Sequence, residues 1–245
     1  MTLAVEGLSV GVAGRTVVSG IDLKIHPGEV TCVLGANGAG KSELVLALAG
    51  MLPVSAGTVT VNGADITGKG PDVIRRAGVA AVPEGHRVLT KLTVDDNLRA
   101  AGTLLRSGLP ETLADTYALF PELAERKGQL AGTMSGGQQQ MLALGHAMMS
   151  RPRYLLIDEM SLGLAPLVVK RLMGFVEGLK ARGVGVLLIE QFTDMALAVS
   201  EHALVLRGGI MRHSGRASGL AQNPDLLDRA YFGLDAAGEG AHVGV

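Results

Sequence analysis

The eight residues that decide the fold have the sequence Gly35-Ala36-Asn37-Gly38-Ala39-Gly40-Lys41-Ser42. They follow the apolar run Val30 to Leu34 and precede a segment through Ala49 that favours helix. Glycines allow a loop to turn its backbone N–H groups inward around phosphate groups. Lys41 adds a cation, and Ser42 adds a hydroxyl group suited to Mg²⁺. The sequence therefore predicts that all eight residues bind the phosphates of a nucleotide, with the positive end of the next helix pointing at them.

This pattern is unlikely to arise by chance. The chain contains 35 glycines, and a random match to the pattern is expected roughly once in a hundred such sequences. The flanking strand and helix lower that chance further. The alternative interpretation is a glycine-rich turn between a strand and a helix that binds no ligand.

The charge balance argues against a nucleic-acid partner. Lys and Arg total 22 against 23 Asp and Glu, which gives a formal net charge of −1. Such a chain has no overall basic field to attract nucleic acid or an anionic surface, and the sequence shows no local basic patch. We therefore expect no nucleic acid among its partners.

No secretory signal or membrane span is predicted. Met1 to Glu6 lacks the basic and apolar segments of a secretory signal. The uncharged span 44–64 is interrupted by Pro53, Asn62 and glycines, and its apolar part is shorter than the roughly 20 residues of a spanning helix. The single cysteine, Cys32, lies in an apolar run and excludes an internal disulfide. We expect a cytoplasmic protein that reaches a membrane only through another subunit.

The organisation along the chain predicts an α/β fold. Strands are predicted in the first third of the chain, over Leu3 to Val5, Val30 to Leu34, Gly57 to Val61 and Val79 to Val82. From Val94 to Met149, apolar residues recur three and four positions apart, which predicts a helical subdomain. Three further apolar runs follow, Tyr154 to Ile157, Val184 to Ile189 and Ala203 to Leu206, with a helix predicted over Leu167 to Ala181. Strand, crossover helix and strand of this length imply a parallel sheet. We expect one domain over 1–235 and a frayed tail over 236–245.

Two adjacent acids, Asp158 and Glu159, end the apolar run that begins at Tyr154. One acid at a strand end could be a simple cap or a solvated turn. Because neighbouring side chains of a strand point to opposite faces, two acids can do different jobs. We expect Asp158 to hold the Mg²⁺ shell and Glu159 to activate a water molecule behind the terminal phosphate.

A second potential anion site has the sequence Ser135-Gly136-Gly137-Gln138 and precedes a helical segment through Met149. Ser135 is expected to cap that helix, whose first N–H groups could face an anion. Alone, this pattern predicts only an ordinary capped helix. The methionines of the segment, among them Met134 and Met141, are expected to pack in the core.

Together, the phosphate loop, the acid pair and the Ser-Gly-Gly segment resemble the ATPases of ABC transporters, over nearly the whole chain up to about Leu234. The resemblance implies a P-loop NTPase core with a parallel sheet, an N-terminal antiparallel β subdomain and an inserted helical subdomain. It implies ATP hydrolysis with Mg²⁺. It also implies a dimer in which Gly35 to Ser42 face Ser135, Gly136, Gly137 and Gln138 of a second ATPase subunit, either an identical or a different chain.

Three further segments are similar to the ATPases of branched-chain amino acid importers. In Val82 to Val88, Glu84 stands where most relatives carry a glutamine that contacts the metal. Ser161 to Pro166 resembles the loop that follows the acid pair in that branch. In Leu188 to Gln191, Gln191 stands at the catalytic switch position, where most relatives carry a histidine. Importers of urea or short amides share these features. The resemblance implies two membrane-spanning subunits, an indirect solute-binding protein and a location at the inner face of the cell membrane.

Four positions depart from the family pattern and bear on affinity and rate. Val12 stands where the family has an aromatic residue that stacks on adenine, so we expect Val12 to contact the base without a π face. Glu43, Met160 and Phe192 are the other three.

Two alternative functions stay open: an ABC-type ATPase that acts outside transport, for example on ribosomes, and a regulatory subunit that binds nucleotide but hydrolyses it weakly.

Overall fold

The computed structural model describes residues 1–85, 88–105 and 107–233, with Leu104 described by its backbone alone. The strands are β1 (Leu3–Val12), β2 (Arg15–Ile25), β3 (Val30–Leu34), β4 (Val54–Val61), β5 (Ala64–Asp65), β6 (Val79–Val82), β7 (Tyr154–Asp158), β8 (Gly185–Ile189), β9 (His202–Arg207) and β10 (Ile210–Arg216). The α-helices are α1 (Lys41–Leu48), α2 (Pro71–Arg76), α3 (Val94–Ala101), α4 (Leu109–Leu119), α5 (Pro121–Ala124), α6 (Gly136–Met148), α7 (Pro166–Ala181), α8 (Thr193–Val199), α9 (Ala217–Ala221) and α10 (Pro224–Phe232). The tail expected to fray, and His86 and Arg87 of the Val82 to Val88 segment, lie outside the described residues.

The larger sheet has the strand order β10-β9-β3-β8-β7-β6. Its pairings are parallel, except that β10 runs antiparallel to β9 at the edge. Every residue of β3, β7 and β8 is buried, as expected for strands covered on both faces. The expected parallel α/β sheet is confirmed, and it brings the loops after β3, β7 and β8 to one edge.

The smaller sheet is antiparallel and has the order β2-β1-β4-β5. Its inner side chains form one core with α1 and with one face of the larger sheet. This sheet is the expected N-terminal antiparallel β subdomain. β1 continues to Val12, beyond the predicted Leu3 to Val5, and β2 was not predicted.

The helical subdomain, α3 to α6, lies between β6 and β7 in the chain, as predicted. Asn97 of α3 is fully buried. Its amide donates to Leu89 O at 3.0 Å and accepts from Leu89 N at 2.8 Å, which fixes the amide orientation. His146 Nε2 lies 3.1 Å from Asn97 Oδ1, so Nε2 carries the hydrogen. Asn97 thus ties the loop before α3 to helix α6.

Four arginines from two distant segments, Arg75, Arg76, Arg151 and Arg153, surround a cavity of about 340 Å³. The expectation of no local basic patch is therefore wrong. Their contacts are structural: Arg75 donates to Ala101 O at 2.9 Å, at the end of α3, and Arg76 pairs with Asp72 at 3.1 Å. A cation at a helix C-terminus stabilises the helix. The absence of a nucleic-acid partner stays a prediction.

Core packing agrees with two smaller expectations. Cys32 is fully buried, and burial raises the pKa of its thiol to about 11. Met134, Met141 and Met149 are buried around α6. Within the described residues, no helix is long and apolar enough to cross a membrane.

Candidate nucleotide-binding and hydrolysis site

The phosphate loop occupies the turn between β3, the third strand of the larger sheet, and α1. Gly35 has φ 151° and Gly40 has φ 98°. A Cβ at Gly35 would collide with Leu206 O, and one at Gly40 would lie 2.9 Å from Val17 O, so the loop closes this tightly only with glycine. Gly40 is the N-cap of α1 and provides no side-chain cap. The first N–H groups of α1 are therefore left for an anion.

Lys41 places its ammonium group inside the loop. Its side chain is only 4% exposed, and Nζ donates to Gly35 O at 2.8 Å and Ala36 O at 3.1 Å. Both acceptors belong to the phosphate loop itself. The cation therefore lies beside the N–H groups of α1, where it can contact the same phosphate oxygens.

Asp158 ends β7 beside Ser42 and is 2% exposed. The pKa of its carboxyl group is raised to about 6, mainly by burial and also by the nearby Glu159 and Glu84, against the opposing effects of Ser42 and Lys41. Asp158 Oδ1 is buried and has no hydrogen-bond partner within the described chain. A buried carboxylate oxygen that lacks a partner fits a cation that is completed by other ligands.

The oxygen ligands near the phosphate loop suit Mg²⁺ that is also bound by a nucleotide, rather than a metal ion held by protein side chains alone. Across the described ranges, no three His, Cys, Asp or Glu side chains are close enough to hold a metal ion. Mg²⁺ is usually bound by one or two carboxylates together with substrate phosphates and water. Ser42 and Asp158 therefore suit Mg²⁺ that arrives with a nucleotide, and Glu84 lines the same cavity.

Glu159 lies just beyond β7 and has φ 49°, a left-handed conformation that costs a non-glycine residue about 1–2 kcal/mol. The expectation that strand alternation separates the two acids is therefore wrong, because the turn after the strand separates them. The N–H of Glu159 donates to Ile189 O at 3.0 Å. Its carboxylate accepts from Gln191 Nε2 at 3.0 Å.

Gln191 connects the acid to the phosphate loop, since Nε2 also lies 3.4 Å from Asn37 Oδ1. A cavity of about 370 Å³ is lined by phosphate-loop residues and by Glu84, Glu159, Leu162 and Gln191. The structure thus brings together residues that are more than a hundred positions apart in the sequence. A nucleotide phosphate chain and one water molecule can meet a carboxylate in this cavity.

Val12 does not join this group. It ends β1 and is 38% exposed, and it is not among the described residues that line the cavity. The neighbouring strand β2 approaches the phosphate loop instead, because Val17 and Val18 lie against Gly40. The expected contact of Val12 with a base stays a prediction.

Ser135 is the N-cap of α6, as predicted. Its hydroxyl accepts from Gln138 N at 3.4 Å, and Gln138 Oε1 accepts from Ser135 N at 3.0 Å. This reciprocal pair is a capping box. Residues 135–138, which include Gly136 and Gly137, are absent from the described lining of the cavity. The expected contact of these residues with a nucleotide bound to a second subunit stays a prediction.

One contact near the site was not predicted. The Ser161 hydroxyl, just after the acid pair, donates to Glu190 Oε2, just before Gln191. The available signal was a carboxylate directly after the buried strand β8.

A parallel sheet with a phosphate loop between an inner strand and a helix, and with acids at the end of another inner strand, defines a P-loop nucleotide-binding protein. The profile of the ABC transporter family matches residues 18–161, and the chain belongs to this family.

Similar proteins agree with this assignment. The chain is 42% identical to the high-affinity branched-chain amino acid transport ATP-binding protein BraG of Pseudomonas aeruginosa, over 87% of this chain and 91% of that protein. It is 32% identical to a probable branched-chain amino acid transport ATP-binding protein, LivF, of Archaeoglobus fulgidus, over 88% and 92%. The crystal structure of the ADP conformation of an ATP-binding cassette of an ABC transporter aligns with TM-score 0.81 and 26% identity, over 93% of this chain and 98% of that chain.

Proposed function

We propose that this chain is the ATP-hydrolysing subunit of an importer of branched-chain amino acids or related small amino acids and amides. The observation that carries the ATPase assignment is the cavity shared by the phosphate loop, Glu159 and Gln191. The solute class is supported by the resemblance to BraG and LivF, because the phosphate machinery itself does not contact the transported solute.

Binding begins at the phosphate loop. Residues Gly35 to Ser42 donate backbone N–H groups to the β- and γ-phosphates, and Lys41 exchanges its carbonyl partners for phosphate oxygens. Ser42, Asp158 and Glu84 would hold Mg²⁺, which supplies positive charge against the phosphate chain when it is bound. Val12 is the proposed contact of the base.

Hydrolysis then requires a positioned water molecule. Glu159 accepts a proton from that water while the water oxygen bonds to the γ-phosphorus. The bond between the γ-phosphorus and the β–γ bridging oxygen breaks, which gives ADP and inorganic phosphate. Gln191 holds the Glu159 carboxylate in place through the 3.0 Å hydrogen bond.

The proposed assembly contains a second ATPase subunit, either a copy of this chain or a different ATPase. Its residues equivalent to Ser135, Gly136, Gly137 and Gln138 would face this chain's nucleotide, because in this chain those residues lie outside the cavity. Two membrane-spanning subunits would bind the ATPase pair at the cytoplasmic side of the cell membrane. A solute-binding protein would act only through those membrane subunits, and no nucleic acid takes part.

The variant Glu159→Gln tests the ATPase assignment. The amide keeps the shape of the carboxylate but cannot accept the proton, so turnover should fall by about 100-fold or more while ATP binding is retained. Phosphate release and equilibrium ATP binding measure the two effects. Glu111→Gln removes the same charge from the exposed start of α4 and serves as the control. Near-normal turnover by Glu159→Gln would overturn the role of Glu159.

Uptake by the source cell tests the solute class. Deletion of this chain should abolish uptake of labelled leucine, isoleucine and valine through this system, and wild type but not Glu159→Gln should restore it. Unchanged uptake of these amino acids together with lost uptake of urea or a short amide would assign the chain to that other class of importer.

A further inference from the structure

The backbone turn at Glu159 needs support from its neighbours. Its φ of 49° is unfavourable for glutamate, and the side chain must still point into the cavity. One support is the bond from Glu159 N to Ile189 O at 3.0 Å. Met160, the next residue, is fully buried and anchors the chain after the turn. These two contacts leave the residues beyond Met160 to be fixed by something else.

Ser161 and Glu190 provide that contact. Ser161 is 1% exposed and Glu190 is fully buried. The Ser161 hydroxyl donates to Glu190 Oε2, and Glu190 directly precedes Gln191 in the chain. One side chain therefore joins the end of the turn that carries Glu159 to the residue that hydrogen-bonds the Glu159 carboxylate.

Burial of Glu190 is costly for the protein. Burial raises the pKa of its carboxyl group to about 7, despite the opposing bonds from Ser161. Its second oxygen, Oε1, is buried without a hydrogen-bond partner in the part of the chain that the structure describes. A buried acid with this environment destabilises the fold relative to an apolar residue, and packing alone does not account for it.

Glu190 does not contact the reacting atoms directly. Neither Glu190 nor Ser161 is among the described residues that line the nucleotide cavity, whereas Glu159 and Gln191 are. Any effect of the pair on chemistry must therefore act through neighbours that do line the cavity, Glu159, Leu162 and Gln191.

We propose that Ser161 and Glu190 form a positioning pair that holds the left-handed turn at Glu159 and aims its carboxylate at the attacking water. The activity readout of this inference rests on the proposed function, whereas its structural readout does not. The pair joins the segment after β7, which carries Glu159, to the segment after β8, which carries Gln191.

The first experiment measures ATP hydrolysis and ATP binding by the full-length chain. Ser161→Ala and Glu190→Ala should each lower kcat by about tenfold or more, because small displacements of a reacting group are costly, while the Kd for ATP stays within about twofold. The double variant should lose no more than either single variant, since both remove the same contact. Glu190→Gln keeps an acceptor oxygen for the Ser161 hydroxyl and should restore most of kcat.

A matched control separates this role from general packing. Ser150→Ala removes another partly buried serine hydroxyl, which donates to Ala147 O at 2.8 Å, and should leave kcat unchanged. Equal losses in Ser150→Ala and Ser161→Ala, or a Kd that weakens in parallel with kcat, would overturn the positioning role. A Glu190→Gln variant as impaired as Glu190→Ala would overturn it as well.

Amide hydrogen exchange tests the same inference without hydrolysis. In Ser161→Ala, the Glu159 amide should exchange about tenfold faster or more, while amides in the centre of β3 keep their wild-type rates. Unchanged exchange at Glu159 would overturn the inference. If wild type hydrolyses no ATP, the proposed function fails, and the exchange result still decides whether the pair holds the turn.

Discussion

Two helix N-termini face anions in the proposed mechanism, and they begin in opposite ways. Helix α1 starts after Gly40, which offers no side-chain cap. Helix α6 starts after Ser135, whose hydroxyl and backbone N–H are both engaged with Gln138. The first helix keeps its N–H groups for phosphate within the same chain. The second helix engages the N–H groups of Ser135 and Gln138 in its own cap, so the N–H groups of Gly136 and Gly137 are the ones left for a phosphate from elsewhere.

This contrast predicts that damage at α1 weakens binding, whereas damage at α6 slows turnover. The largest effect is expected for Lys41→Ala. Loss of a buried cation that makes charge-assisted hydrogen bonds should weaken ATP binding by about 100-fold, or about 3 kcal/mol. Equilibrium titration measures it, with Lys69→Ala, an exposed lysine, as the control. Unchanged affinity in Lys41→Ala would mean that the loop does not hold the phosphates.

The far end of α6 yields a prediction about acid stability. The pKa of His146 is lowered to about 4, mainly by burial and also by the positive charge of Arg75. The unfolded chain binds a proton near pH 6.5 and the folded chain does not, so stability is lost as the pH falls from about 6.5 to about 4. By pH 5 the loss from this group should reach about 2 kcal/mol.

His146→Gln removes the titration and keeps an N–H donor for Asn97. Urea unfolding of wild type and variant at pH 7.5 and pH 5 measures the effect. Asp158 and Glu190, whose folded pKa values are raised, contribute to the pH dependence with the opposite sign. Their contribution is the same in both proteins, so it cancels in the difference between variant and wild type. If the stability difference between variant and wild type is the same at both pH values, His146 is not buried in its neutral form.

Ser135→Ala sharpens the comparison directly. Turnover should fall by about tenfold while the dilute chain keeps its ATP affinity, since the hydroxyl is proposed to serve another chain's nucleotide. Loss of the cap also costs about 1 kcal/mol of stability. Thr93→Ala removes the cap of α3, where Thr93 accepts from Asp96 N at 3.1 Å, and controls for that cost. Lost ATP affinity in the dilute Ser135→Ala chain would place this residue at its own nucleotide.

The smallest effect is expected at Val12. A tyrosine at this position adds a π face for the base, which should tighten ATP binding by about two- to tenfold. Wild type should discriminate weakly between ATP and GTP. Val73→Tyr, at a valine of similar exposure on α2 (39% against 38%), controls for a general effect of an added aromatic ring. A strong wild-type preference for ATP that Val12→Tyr leaves unchanged would contradict this prediction.

The sequence predicted the buried strands of the fold better than the solvent-exposed ones. The bounds of β3 and β6 equal the apolar runs Val30 to Leu34 and Val79 to Val82, because strands covered on both faces have continuous apolar sequence. The edge strands β2 and β10 were missed. Each is half solvated, so polar residues interrupt its pattern, and hairpin pairing with the preceding strand, β1 or β9, stabilises it instead.

The site was predictable where its residues are contiguous. The phosphate loop and the cap at Ser135 are local patterns, and the structure places both as expected. The turn at Glu159 depends on backbone dihedral angles that alternation cannot reveal. The contact of Ser161 with Glu190 joins residues 29 positions apart, and no local spacing encodes it.

The strand order also sets when the protein can first bind nucleotide during its synthesis. Strand β3 lies between β8 and β9, Gly35 lies against Leu206, and Gly209 N donates to Ala39 O at 3.0 Å. Residues 35–42 leave the ribosome early, but the strands that brace them emerge more than a hundred residues later. A nascent chain that stops after α6 contains the whole phosphate loop but only β3 and β6 of the six strands of its sheet. Capture of ATP is therefore one of the last abilities the growing chain acquires, which delays hydrolysis until the rest of the domain is complete.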